Sequence, residues 1–178
     1  MIQSGCRCRY VSLAELEAAI HDASRWLSTH EQVEWSKFRS PERRISWIAG
    51  RMLAKQLILE SLPTISPSPT KITITSRGLH GLGTRPRVLL QGKTLQGSLS
   101  ISHSQRGVAA VWSQRPNQCV GVDLAEEQQT GAGFRRLWLT ETERQFGRRR
   151  DLTPLAAWVA KEAVFKACNR GESFAPRQ

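Results

Sequence analysis

Two carboxylates and one lysine are the residues here whose setting suits chemistry. Glu162 and Lys166 lie one turn apart in the run LAAWVAKEAVFKA, residues 155 to 167, on the side that carries Leu155 and Trp158. Ala, Val, Leu, Trp and Phe occupy nearly every other side, and a helix apolar all round is expected to be buried. A glutamate four residues before a lysine can be a simple surface pair worth a few tenths of a kcal/mol. In apolar surroundings the pair needs a stronger reason, because a buried charge is costly unless paired, hydrogen-bonded or metal-bound. Asp123 stands alone in the apolar run Val120-Gly121-Val122-Asp123-Leu124-Ala125. It can cap a turn, accept a salt bridge, or join Glu162 as an oxygen ligand. Magnesium is usually held by one or two carboxylates plus substrate phosphates and waters.

Weaker candidates precede these. Ser100-Ile101-Ser102-His103-Ser104 ends a predicted strand at a polar turn whose hydroxyls and imidazole suit phosphate. A single histidine at a strand end is more often structural. Arg43, Arg44 and Arg51 share one predicted helix, and arginines so placed are commonly a solvated face. Arg85-Pro86 follows Gly81-Leu82-Gly83, a glycine-rich stretch that lets backbone approach a ligand closely.

The elements that position these residues follow from caps and periodicity. Ser12-Leu13-Ala14-Glu15 reads as a capping box, with Leu13, Leu16, Ile20 and Leu27 at near-helical spacing behind it. Ser40-Pro41 starts a second helix whose apolar stripe is Ile45, Ile48, Met52 and Leu59, ending by Pro63. Pro63 to Thr70 reads as a loop, Lys71 to Thr75 as a strand, Gly78 to Pro86 as a turn region and Val88 to Leu90 as a short strand. Ser98 to His103 alternates with Leu99, Ile101 and His103 on one face, and Val108 to Trp112 is its hairpin partner. Val120 to Leu124 reads as another strand. Thr140 to Glu143 is a second capping box, and a last helix covers roughly Leu155 to Ala167. Helices with short hairpin-linked strands argue for an α+β fold over a doubly wound parallel sheet.

The chain has 178 residues and a net charge of +11. That length suits one domain or two small packed halves, burying roughly 70% of the unfolded surface. The charge attracts polyanions or acidic proteins, and arginine suits bidentate phosphate contacts. No apolar run spans a membrane and no secretory signal is read at the N-terminus, so the expected compartment is cytoplasmic. The cysteines Cys6, Cys8, Cys119 and Cys168 lack metal-ligand spacing and read as reduced thiols.

Taken in order, these segments resemble the phosphopantetheinyl transferases of the larger, surfactin-synthetase-activating type. The helix with Glu34, Phe38, Arg43 and Ala49-Gly50-Arg51-Met52-Leu53 is similar to that family's N-terminal arginine motif. Gly83-Thr84-Arg85-Pro86 is similar to its Gly-Lys-Pro loop, with Arg85 in place of lysine. Leu99 to Ser104 is similar to its Ser-His motif, Val120 to Leu124 to its metal-binding strand, and Trp158 to Ala163 with Lys166 to its Trp-x-x-Lys-Glu-Ala-x-x-Lys signature.

The resemblance implies two pseudo-equivalent α+β halves, residues 1–113 and 114–178, with coenzyme A between them and the C-terminal half short. It implies that Asp123 and Glu162 hold magnesium, that Arg51, Ser102, His103 and Lys166 meet phosphates, and that Gly83, Thr84, Arg85 and Pro86 cradle the adenosine end. Glu162, Lys166 and His103 are then the catalytic group. The implied reaction moves phosphopantetheine from coenzyme A to a serine of an acidic acyl or peptidyl carrier protein. Many members carry a second carboxylate two residues after the strand aspartate, where this chain has Ala125, followed by Glu126 and Glu127. A silent homologue that binds coenzyme A or a carrier without transfer is the first alternative. A basic nucleic-acid-binding protein is a remote one, disfavoured because no finger, zipper or aromatic RNA-binding pattern is present.

Overall fold

A computed structural model describes residues 5–20, 22–62, 67–77, 83–126 and 130–168. Parts of the predicted Pro63 to Thr70 loop and Gly78 to Pro86 turn region, together with Glu127, lie outside the described residues.

Local signals set most helix starts. In α1 (Leu13–Ile20), Ser12 Oγ accepts the Glu15 N–H at 3.3 Å and the Glu15 carboxylate accepts the Ser12 N–H at 2.8 Å, the expected capping box. Leu27 is not part of this helix; a 3₁₀ turn, Ala23–Arg25, intervenes. The segment from Glu34 to Leu53, read above as one helix, is two: α2 (Thr29–Ser36) and α3 (Pro41–Ser61). The cause is Pro41, which forces the preceding Ser40 into extended backbone, φ −76° and ψ 125°, so no helix runs through it. Ser40 instead caps α3 by accepting the Arg43 N–H.

Two antiparallel sheets surround α3. The first has the order β1 (Cys6–Ser12), β6 (Gly107–Ser113), β5 (Ser98–His103), with Leu99 opposite Trp112 and His103 opposite Val108. The second is β2 (Ile72–Arg77), β3 (Gly83–Leu90), β4 (Lys93–Thr94). Gln91 and Gly92 join β3 to β4 with φ of 51° and 80°, the positive pair that a two-residue primed turn requires. β3 runs longer than the expected Val88 to Leu90. Pro86, which has no N–H to give a ladder, sits where the β2–β3 register shifts between Thr75 and Arg77. The core lies between α3 and both sheets: Ile48, Met52, Leu53, Leu57, Ile58, Ile72, Ile74, Leu99 and Trp112 are all shut from solvent.

β1 was not expected. Its exposed side chains carry the charged residues Arg7 and Arg9, which pair with Glu60 of α3, so the segment shows no apolar period to read. The C-terminal half holds α4 (Ala132–Trp138), α5 (Glu141–Arg149) and α6 (Pro154–Cys168). α5 starts at the predicted Thr140–Glu143 capping box; α4 has no side-chain cap and was not foreseen.

Two expectations about this half are corrected. α6 is not a buried helix: none of its residues falls in the buried class, and Val164 is 63% exposed. Residues 120–124 do not form a strand either. They run extended along β5, but their alternate N–H groups bond serine side chains, not a neighbouring backbone.

Candidate active site

β5 carries two kinds of residue on its two faces. Leu99 and Ile101 pack toward α3, while Ser98, Ser100 and Ser102 are nearly sealed on the other face. Their hydroxyl oxygens accept the N–H groups of Val120 at 3.1 Å, Val122 at 3.2 Å and Leu124 at 3.2 Å. Both chains advance by two residues per bond, so the ladder fixes the register of the 120–124 segment without a backbone ladder. Buried N–H groups need such partners.

That register delivers Asp123 to α6. Its carboxylate accepts the Ser102 hydroxyl at 2.8 Å and the Lys166 ammonium, and Lys166 also donates to Ser102 Oγ at 3.2 Å. Gly121, one residue pair earlier, lies against the α6 backbone: a Cβ there would collide with the Ala163 carbonyl oxygen. Glu162 is half-buried one turn before Lys166. Burial, then the neighbouring Asp123 charge, raises its carboxyl above the usual glutamate range, while Lys166 opposes the shift. Trp158, a turn further back, anchors α6 against α4 through edge-on contacts to Trp138 at 4.8 Å and Phe134 at 6.1 Å. Lys161 does not face this group; it bonds Glu143 of α5 at 2.9 Å.

Lys166 also lines a cleft of about 450 Å³ that is otherwise walled by the N-terminal half. α3 contributes Arg43, Trp47 and Arg51, β2 gives Ser76, β3 gives Thr84, Arg85 and Pro86, and β5 gives Ser100 and His103. Arg51 is stacked over the Trp47 ring, its guanidinium carbon 4.3 Å from the centroid, and donates to Ser76 Oγ at 3.0 Å. Crowding on the cleft wall pushes the His103 imidazole below its ordinary value; a backbone contact opposes this, and the charges of Lys166, Arg43 and Arg51 reinforce it. Arg85 reaches across to the other half, donating to Cys119 Sγ at 3.2 Å and to the Ala167 carbonyl at the end of α6. A guanidinium at a helix C-terminus meets the negative end of the helix dipole.

Most residues singled out in the sequence therefore meet in one place. Arg51, Thr84, Arg85, Pro86, His103 and Lys166 line the cleft, and Gly83 opens β3 beside them, paired with Arg77. Ser102 does not line it. Its hydroxyl bonds Asp123 and Lys166 instead. Ala125 is exposed beside Leu124, Leu155 and Trp158. The Glu126 carboxylate is engaged by the Arg106 backbone N–H at 3.1 Å and its side chain at 3.4 Å.

What the sequence reading missed is a buried ion cluster beneath the cleft. Glu31 of α2 and Lys55 of α3, both fully buried, are 2.5 Å apart. Burial pushes the Lys55 ammonium below its ordinary value, Glu31 opposes that shift and Arg51 adds to it. The signal available was Glu31 three residues after Ser28, but that reads as a cap and nothing more.

Among the described residues no group of three or more His, Cys, Asp or Glu side chains forms a metal cluster. Asp123 and Glu162 are two neighbouring, partly buried carboxylates of which only Asp123 is paired with Lys166, and two carboxylate oxygens are donors that suit a hard divalent cation.

A family model described as the 4'-phosphopantetheinyl transferase superfamily matches residues 119–177. No curated protein matches the chain. Among solved structures, a holo-(acyl-carrier-protein) synthase from Bacillus anthracis, in complex with CoA (3',5'-ADP), is 21% identical over 61% of this chain and 93% of its own, with a TM-score of 0.49. A Plasmodium yoelii acyl carrier protein synthase with ADP bound is 20% identical over 62% of this chain and 93% of its own, with a TM-score of 0.48. A Neisseria meningitidis holo-[acyl-carrier-protein] synthase is 22% identical over 62% of this chain and 97% of its own, with a TM-score of 0.46. The matched segment, residues 119–177, is the one that holds Asp123, Glu162 and Lys166.

Proposed function

We propose that the protein is a magnesium-dependent transferase of the larger type, moving 4'-phosphopantetheine from coenzyme A to a serine of an acidic acyl or peptidyl carrier protein. The observation that carries this reading is Lys166. It bonds Asp123, lies one turn from Glu162, and at the same time lines the cleft with Arg43, Arg51 and His103. A polyanion in that cleft would meet the cations of its wall, with Asp123 paired to Lys166 behind them. Magnesium bound by Asp123 and Glu162 would neutralise charge on the diphosphate. Arg51 and His103 bind phosphate, Lys166 balances charge on the leaving group, and Thr84 to Pro86 flank the adenosine end.

In this reading the carrier serine oxygen attacks the β-phosphorus. The bond from that phosphorus to the α-phosphate oxygen breaks, releasing 3',5'-adenosine bisphosphate. Glu162 takes the serine proton, directly or through a water. Such a step draws on positioning and charge neutralisation more than on covalent help from the protein. The net charge of +11 favours encounter with an acidic carrier. No described helix is long and apolar enough to cross a membrane, and Cys6, Cys8, Cys119 and Cys168 are all unpaired, which supports a cytoplasmic site of action.

The test is a mass shift of an apo carrier by one phosphopantetheine arm, on addition of enzyme, coenzyme A and magnesium. Calorimetry with coenzyme A and its 3'-dephospho form accompanies it. The expected result is transfer, with the dephospho form bound more weakly. Equal affinities would remove Arg51 and His103 from 3'-phosphate recognition, and absence of transfer to every carrier class would leave the silent homologue as the reading.

A pH dependence follows from His103. Burial and the neighbouring cations favour its neutral imidazole in the free protein. Bound phosphate favours the charged form, so binding takes up a proton and tightens as pH falls. Each unit by which the bound value exceeds the free one is worth up to about tenfold in affinity. Calorimetric affinities from about pH 8 to about pH 6 should rise more steeply for the natural protein than for His103→Gln. The ligand's own phosphate titration is common to both, so parallel profiles would show that His103 does not meet a phosphate.

A further inference from the structure

We infer that Glu31 is a positioning residue for the cleft, acting through Arg51; this rests on the reading that the cleft binds coenzyme A. Glu31 is the third residue of α2 and is fully buried. One oxygen of its carboxylate accepts the Ser28 N–H at 2.9 Å, the Ser28 hydroxyl at 3.0 Å and the Lys55 ammonium at 2.5 Å. The other accepts the Ile74 N–H at 3.0 Å and faces Arg51 Nε at 3.7 Å. A single side chain thus joins the start of α2, the middle of α3 and β2.

This arrangement exceeds what a cap needs. Lys55 sits one turn after Arg51 on α3 and is fully satisfied by Glu31 and the carbonyls of Trp26 at 2.6 Å and Pro69 at 3.1 Å. Its charge is spent on the fold. Arg51, by contrast, touches Glu31 at one edge, Ser76 at another and the Trp47 ring with its face, and it lines the cleft. Of the two cations that face Glu31, Lys55 is buried away from the cleft and Arg51 lines it. The carboxylate faces the guanidinium edge from behind as an ion pair at 3.7 Å with no hydrogen bond to Nε, and Trp47 and Ser76 fix its plane. A guanidinium whose orientation is set in advance loses little freedom when it grips a phosphate.

The consequence is specific to ligand affinity. Glu31→Gln keeps the shape and the cap but removes the charge that faces Arg51. Because it also leaves Lys55 buried without its partner, the variant can lose stability for that reason alone. The double variant Glu31→Gln/Lys55→Met removes both charges of the buried pair and restores a neutral interior. The expected result is a folded double variant whose Kd and KM for coenzyme A rise roughly tenfold, the scale of one misaligned charged hydrogen bond, with kcat little changed. Placed on an Arg51→Ala background, the same double change should weaken binding no further. A double variant that binds coenzyme A as the natural protein does overturns the inference. So does a tenfold loss that persists without Arg51, because Glu31 would then act by another route. If the natural protein binds no coenzyme A, the functional reading itself fails and this inference falls with it.

Discussion

Glu162→Gln is expected to lower transfer by about a thousandfold or more, the loss typical when a general base and an electrostatic contact go together, while the protein stays folded. The substitution keeps the volume and the position on α6. It removes the group proposed to take the serine proton and one of two carboxylates proposed to hold magnesium. Stability should not fall. Burial and the Asp123 charge raise the Glu162 carboxyl above its ordinary value, whereas Lys166 works against this. An acid whose folded value exceeds its unfolded one is less welcome in its charged form once folded. Ionisation of Glu162 therefore works against the fold above the usual glutamate range, and a neutral amide relieves it. Thermal unfolding at neutral pH should give a midpoint equal to or above that of the natural protein. Coenzyme A affinity measured without magnesium should change little, since the cleft cations remain. A Gln variant that keeps most of its turnover on a carrier protein would make Glu162 a structural residue.

The pieces of this site differ in how far the sequence displays them, and the difference follows the range of the forces involved. The capping boxes at Ser12 and Thr140 and the Ser40-Pro41 start are decided within four residues, so they read directly. The β5–β6 hairpin reads from alternation on both sides of a polar turn. Asp123 and Glu162 stand out because a charge among apolar residues needs a partner, and the structure pairs Lys166, whose partner on the sequence alone was Glu162, with Asp123. The segment 120–124 has a strand's composition but no strand's ladder, because its N–H groups are met by the serines of β5. Those serines alternate with Leu99 and Ile101, so the face was legible while its use was not. The apolar composition of α6 suggested burial that the packing does not provide. The Glu31–Lys55 pair was hidden altogether. Each residue has an ordinary local explanation, cap and solvated lysine, and only the tertiary contact of α2, α3 and β2 shows otherwise.

Gly121→Ala should disturb the site through backbone alone. A Cβ at this position would collide with the Ala163 oxygen and lie 2.9 Å from both the Ala163 carbonyl carbon and the Ala167 nitrogen, all atoms of the α6 main chain. No side-chain rotation relieves such contacts, so either α6 or the 120–124 segment must move. The segment is pinned to β5 by the hydroxyls of Ser98, Ser100 and Ser102, which makes α6 the part that yields. Displacing α6 carries Glu162 and Lys166 away from Asp123 and pulls Ala167 from Arg85. Overpacking of this kind costs about 1–3 kcal/mol. A shift near 1 Å in a reacting group costs on the order of a hundredfold in rate. The expected outcome is a hundredfold loss of transfer with a modestly lowered melting temperature. Coenzyme A affinity should suffer less than turnover, because α6 gives the cleft Lys166 while Arg43, Arg51 and His103 stay in place. Gly133→Ala, where a Cβ meets nothing within 4 Å, is the control and should change neither quantity. A Gly121→Ala protein with natural turnover and melting would show that α6 does not approach the 120–124 segment this closely, and the coupling of Asp123 to Glu162 and Lys166 would have to be abandoned.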